Sequence, residues 1–174
     1  MKKAVFLDRD GVVNEVLTDR VKFVNKPKDL YILDGVGRAI QLFNENGYEV
    51  FIVTNQGGIG LGYITEKNLH AIHQKLTQEI EKEGGTIKDI VYCPHAPKAG
   101  CECRKPKPKM IQDLAKKYDI NLSQSYMIGD RDIDITAGKE AGTKTILIGN
   151  EKVEHADYYF ENLLKAAVWI VTET

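Results

Sequence analysis

Three groups of side chains in this 174-residue chain have types and spacings that could do chemistry. Asp8 and Asp10 stand two residues apart just before Gly11, and Asp130 and Asp134 follow the apolar run Tyr126–Ile128. Two close carboxylates repel each other unless a cation or proton intervenes. Oxygen-only ligands suit a hard cation such as Mg²⁺, which takes one or two carboxylates together with substrate phosphate. Asp130 is the natural third oxygen ligand, and Asp134 is spaced to bind a metal-bound water. The bland alternative is a strand-end turn in which Asp8 caps the next segment.

The second group is Thr54 and Asn55, which precede Gln56 and the glycine-rich turn Gly57-Gly58-Ile59-Gly60. A hydroxyl, an amide and the backbone N–H groups of such a turn could hold phosphate oxygens. No Gly-Lys-Ser/Thr follows, so the turn is not a P-loop.

The third group is Cys93, His95, Cys101 and Cys103, three thiols and one imidazole within eleven residues. An odd, tight cluster of cysteines in a cytoplasmic protein points to metal before disulfide. Cys₃His is a structural zinc set, with four ligands filling the tetrahedron; the alternative is a set of reduced, unligated thiols. Arg104-Lys105-Pro106 follows at once. A metal-pinned loop would hold both cations rigidly against a phosphoryl group, where the bland reading is a basic surface turn.

Short apolar runs must position these groups. Ala4–Leu7, Val50–Val53, Ile90–Tyr92, Tyr126–Ile128 and Thr145–Ile148 read as strands of a parallel sheet, the first buried on both sides. Helical spacing links Val36, Ala39, Ile40 and Phe43. It also links Leu69, Ile72, Leu76 and Ile80 behind a Thr65 cap, and Met110, Ile111, Leu114 and Ala115 behind Pro108. A further helix ends at Gly142, and Val168–Val171 is assigned as a last strand. His70 and His73 are expected as surface or flank histidines. Residues 12–33 show no periodicity and are either a substrate-contacting loop or a solvated connection. The alternation of strands and helices predicts an α/β fold over one domain, residues 1–174, with the acids at the carboxyl ends of the strands, where such sheets bind ligands.

Bulk properties narrow the partners. A net charge of −1 gives no global pull toward nucleic acid or anionic membrane, and 43% apolar with 28% charged residues is ordinary for a globular chain. The apolar run after Met1-Lys2-Lys3 stops at Asp8, too early for a signal peptide, and no stretch approaches membrane-spanning length. The expectation is a cytoplasmic monomer acting on a small molecule.

The ordered set Asp-x-Asp, Thr-Asn, Lys and Asp-x-x-x-Asp at four strand ends resembles the four motifs of the haloacid dehalogenase superfamily of phosphohydrolases. Phe-Leu-Asp-Arg-Asp-Gly, Val-Thr-Asn-Gln-Gly-Gly-Ile-Gly and Cys-x-Cys-Arg-Lys-Pro-Lys-Pro resemble its branch of heptose 1,7-bisphosphate and histidinol-phosphate phosphatases. The resemblance implies a three-layer Rossmann-like sheet, capless, with a zinc-binding loop. It implies Asp8 as nucleophile, Asp10 as general acid/base, and Thr54 and Lys105 steadying the phosphoryl group. Asn55, Arg104 and Arg131 would contact substrate, a sugar bisphosphate. Mg²⁺ would be held by Asp8, the Asp10 carbonyl and Asp130, and Zn²⁺ by Cys93, His95, Cys101 and Cys103. As an acid, Asp10 is expected to have a raised pKa. The Gly-Tyr-Val-like segment of heptose bisphosphatases is missing from Val16–Val21, leaving Lys22, Lys26 and Lys28 as candidate contacts to a distal phosphate. A nucleic-acid 3′-phosphatase, a phospho-acceptor module and a zinc-organised binding protein are the other readings.

Overall fold

The computed structural model describes residues 1–173. The sheet is built from six strands: β1 Lys3–Leu7, β2 Tyr48–Asn55, β3 Asp89–Cys93, β4 Tyr126–Gly129, β5 Lys144–Ile148 and β6 Tyr158–Phe160. Their order is β3-β2-β1-β4-β5-β6, and all five pairings are parallel. The chain therefore grows outward from β1 on one side, then returns to grow on the other. That reversal opens a crevice beyond the carboxyl end of β1, between β2 and β4.

Among the described residues, five α-helices cover the sheet: α1 Val36–Glu45, α2 Glu66–Lys82, α3 Lys109–Tyr118, α4 Asp132–Ala141 and α5 Leu163–Glu173. Side chains alternate along β1 with the period of two that a strand imposes. Val5 and Leu7 join the core shared with α1, α2 and α5, while Ala4 and Phe6 join the core under α3 and α4. Ala4 through Leu7 are all fully buried, and each large side chain among them contributes about 1.5–3 kcal/mol by leaving water. The expected three-layer α/β sheet is present. The first connection folds without an inserted cap domain, as does the stretch between β2 and β3, which holds α2.

Helix boundaries follow local chemistry. The Thr65 side chain accepts from Asn68 N at 3.1 Å to start α2, and Gly142, with φ 99°, closes α4. One expectation needs correction. Val168–Val171 lies inside α5, not in a strand, because Leu163, Ala166, Ala167 and Ile170 recur at helical spacing and bury together. The last strand is instead β6, which precedes that helix. Of the two readings of residues 12–33, the solvated connection is set aside: Val12, Val13, Val21, Val24 and Leu30 enter the core. Lys75 Nζ donates to Pro27 O at 2.9 Å, tying the loop to α2.

Candidate active site

β1 and β4 pair as far as Leu7 and Ile128, and Asp8 N donates to Ile128 O at 3.0 Å. Asp8 and Asp130, the residues that follow the two strands, thus turn their carboxylates to the same place. Gly11 (φ +88°) makes the approach possible, since a Cβ there would stand 2.0 Å from Asp130 Oδ2. Carboxylate oxygens of Asp8, Asp130 and Asp134 lie within 4.8 Å of one another.

Lys105 enters this cluster from the loop after β3, 4% exposed. Its Nζ donates to Asp8 Oδ1 at 2.8 Å, Asp134 Oδ1 at 2.7 Å and Val53 O at 2.9 Å. Burial works against its charge, but Asp134 and Asp8 prevail and hold its pKa above the ordinary lysine value. Lys105 is a cation at neutral pH.

The Asp134 carboxylate is held by contacts within the protein. Its Oδ1 takes Lys105, and its Oδ2 accepts from Asp130 N and Arg131 N, each at 3.2 Å. It positions the lysine and the loop that carries Asp130. Burial and the charges of Asp134 and Asp130 push Asp8 well up, against the pull of Lys105; burial first, then Asp134, push Asp130 to about 6. Asp130 Oδ1 is buried and without a partner. Three carboxylates with one lysine and an unspent oxygen fit a hard divalent cation, which would cancel these upward shifts.

Asp10 departs from expectation. Burial favours its neutral form, yet the Arg9 guanidinium and hydrogen bonds from Asn14, Arg9 and Gln56 outweigh burial and hold its pKa below the ordinary carboxylate value. Arg9 Nη2 and Nε reach Asp10 Oδ1 at 2.8 and 3.1 Å, and Asn14 Nδ2 reaches it at 3.0 Å. Gln56 Nε2 lies 3.3 Å from Asp10 Oδ2 and 2.9 Å from Thr54 Oγ1, coupling the first two strand ends.

Asn55 faces Lys105 as well as the cleft: its Oδ1 accepts from Lys105 N at 2.9 Å and its Nδ2 donates to Lys105 O at 3.1 Å. Arg104 Nη1 donates to His95 O at 3.3 Å. Arg131 is exposed at the start of α4, outside the cleft lining.

The cleft beside Asp10 has a volume of about 610 Å³. Arg9, Asp10, Asn55 and Gln56 form its floor, with Phe23, Val24 and Asn25 from the first loop and Gly57, Gly58, Leu61, Tyr63 and Ile64 from the turn after β2. Lys22, Lys26 and Lys28 are exposed and do not line it. The loop meets the cleft through Phe23–Asn25, none of which is a cation.

The second metal set also assembles. One ligand atom from each of Cys93, His95, Cys101 and Cys103 lies within 4.8 Å of the others, with His95 Nδ1 3.2 Å from Cys103 Sγ and 3.4 Å from Cys93 Sγ. Burial pushes the Cys93 thiol up to about 12; three sulfurs and an imidazole so close fit a tetrahedral soft-ligand metal that displaces thiol protons.

Two functional-site neighbours escaped the sequence reading. Arg9 is 1% exposed, and its Nη1 lies 3.1 Å from His73 Nε2, with His73 itself 8% exposed. His73 is therefore a buried residue, not a flank histidine. The signal was present, since 69, 72, 73, 76 and 80 share one helical face.

Known proteins share this architecture. The HAD-hydrolase-like family model matches residues 102–168. A D-glycero-β-D-manno-heptose-1,7-bisphosphate 7-phosphatase of Neisseria meningitidis is 37% identical over 98% of this chain and 96% of its own. The corresponding α-anomer enzyme of Campylobacter jejuni is also 37% identical, over 92% of this chain and 91% of its own. The crystal structure of D,D-heptose 1,7-bisphosphate phosphatase from B. bronchiseptica, complexed with magnesium and phosphate, superposes with a TM-score of 0.90 at 32% identity, covering 99% of both chains. The full-length identity and the shared fold carry one conclusion: this chain belongs to the heptose-1,7-bisphosphate phosphatase family of the HAD-like hydrolases.

Proposed function

We propose that the protein is a phosphatase that removes the C7 phosphate of D-glycero-D-manno-heptose 1,7-bisphosphate through an aspartyl-phosphate on Asp8. The observation that carries the chemistry is the Asp8–Lys105–Asp134 chain of contacts at 2.8 and 2.7 Å, beside Asp10 and the open cleft. The substrate rests on the relatives' activity.

Asp8 attacks phosphorus and the sugar oxygen departs; water then cleaves the acyl phosphate, so a carboxylate nucleophile divides one hard hydrolysis into two steps. Lys105 faces the developing charge, as does the Thr54 hydroxyl, positioned through Gln56. Asp10 enters as a carboxylate and gains proton affinity when a phosphoryl dianion arrives beside it. With a proton taken up from solvent as the ester binds, it gives that proton to the leaving sugar oxygen and takes one back from the attacking water. Asn55 clamps the backbone of Lys105, and Arg104 meets the substrate from the rim.

Asp8, the Asp10 carbonyl and Asp130 would hold Mg²⁺, which when bound offsets negative charge on the phosphoryl oxygens. Cys93, His95, Cys101 and Cys103 would hold a structural Zn²⁺ that pins the Arg104–Lys105 segment. The whole chain acts as one catalytic domain, and we place it in the cytoplasm, where thiol ligands stay reduced. Among the described residues no helix is long and apolar enough to cross a membrane.

The test is phosphate release with Mg²⁺ from both anomers of heptose 1,7-bisphosphate, beside histidinol phosphate and an aryl phosphate. A preference for one heptose anomer supports the substrate; a preference for histidinol phosphate moves the same machinery to that ester.

A further inference from the structure

We propose that His73, acting through Arg9, is a positioning residue for Asp10, an inference that rests on the phosphatase reading above. Arg9 sits between the two catalytic-site carboxylates in sequence, but its side chain turns inward and is 1% exposed. A guanidinium has five donors and no acceptor and stays charged, so its burial demands acceptors in fixed directions. Nε and Nη2 spend themselves on Asp10 Oδ1. Nη1 is satisfied by His73 Nε2 at 3.1 Å, across 64 residues of chain.

That contact determines the tautomer. Because Arg9 can only donate, His73 Nε2 must carry the lone pair, and the ring proton sits on Nδ1. The ring stays neutral beside the guanidinium; burial and Arg9 hold its pKa down at about 3. The groups facing this chain of contacts are Arg9, Asn14 and Gln56 around Asp10, and His70 and Tyr92 around His73. Among the described residues, none of them is hydrogen-bonded to Nη1, which has His73 as its acceptor. With His73 as an acceptor, the fork of Arg9 points at one oxygen of Asp10 and leaves Oδ2 to the cleft side, where it meets Gln56. Without an acceptor there, a buried donor is left unmatched, and the guanidinium must turn to find one. Asp10 then loses the placement that a proton donor needs.

The test uses leaving groups. Purified His73→Leu, His73→Gln and wild type are assayed with an alkyl phosphate, whose alkoxide needs a proton to leave, and with p-nitrophenyl phosphate, whose phenoxide does not. For His73→Leu we expect kcat on the alkyl ester to fall about tenfold or more with KM little changed, and the loss on p-nitrophenyl phosphate to be several-fold smaller. His73→Gln, which returns an oxygen acceptor near the position of Nε2, should recover most of the loss. Equal losses on both esters, or none on either, overturn the proposal. Separately, ¹⁵N spectra of the wild type should show His73 protonated on Nδ1 between about pH 5 and 8. An Nε2-protonated or cationic ring overturns the contact whatever the activity. If wild type releases phosphate from neither ester, the phosphatase reading fails, and the spectra still decide whether Arg9 and His73 are joined.

Discussion

Asn55 grips Lys105 by the backbone on both sides of the residue, accepting from its N–H at 2.9 Å and donating to its carbonyl at 3.1 Å, fifty residues away in sequence. The carboxamide at the end of β2 thereby sets where a catalytic-site cation emerges from the loop after β3. A planar amide is suited to this, because one group supplies both donor and acceptor at a fixed separation.

Asn55→Ala should therefore damage Lys105 without touching its charge. Losing both hydrogen bonds is expected to destabilise the protein by about 1–3 kcal/mol, read by urea unfolding. The kcat should fall roughly ten- to hundredfold through misplacement of the ammonium. An unchanged kcat in a folded variant would count against the positioning role.

Asp8→Asn should abolish turnover, by about 10³-fold or more, since an amide cannot form the acyl phosphate. The fold should survive, because the change removes one charge from a cluster in which Lys105 still pairs with Asp134 at 2.7 Å. Acid-quenched wild type should carry label from a ³²P-ester on Asp8, and the variant none. Turnover near the wild-type rate would rule out Asp8 as nucleophile.

Protonation of Asp130 should compete with magnesium. Its folded-state pKa of about 6, raised by burial first and then by Asp134, exceeds the unfolded value of about 3.9. The metal-free folded state therefore binds this proton more tightly than the unfolded chain does. Its stabilising effect is present at low pH and is lost as pH rises through about 6. Asp8 shifts in the same direction. Magnesium needs the ionised form, so its apparent affinity should drop by up to about tenfold per pH unit below pH 6. Calorimetric titration at several pH values, with melts in chelator, checks both signs. A magnesium affinity that is flat from about pH 5 to 7 would refute this account.

Removing the thiol-bound metal should act at a distance. In Cys103→Ser, or after extraction by a strong chelator, the loop between Cys93 and Arg104 loses its cross-link. The expected results are loss of bound zinc, a lower Tm and a several-fold lower kcat, with most of the sheet intact by circular dichroism. Metal analysis of protein purified under reducing conditions without chelator should find about one zinc per chain. A wild type free of zinc would remove the basis for this loop's stiffness.

Much of the architecture was legible in the sequence for a simple reason. Buried parallel strands are short apolar runs, and in this chain three of them carry Asp8, Thr54 and Asp130 to one crevice, while a fourth ends at Cys93 of the thiol cluster. The Cys₃His set was legible because its members are close in sequence. β6 was not, because three residues carry too little pattern, and α5 was misassigned because its β-branched and aromatic residues masked a helical period.

What the sequence determined by itself was the set of reactive groups and the strand ends that carry them, since both depend on local residue type and periodicity. Only the tertiary structure decided how those groups titrate and which partners hold them. The lowered pKa of Asp10 comes from an arginine folded inward, Asp134 is spent on Lys105 and two backbone amides, and the cleft is met by Phe23–Asn25 in place of three lysines. Each depends on side chains brought together across the chain in a buried, low-dielectric space, where a few ångströms decide whether burial or a neighbouring charge prevails.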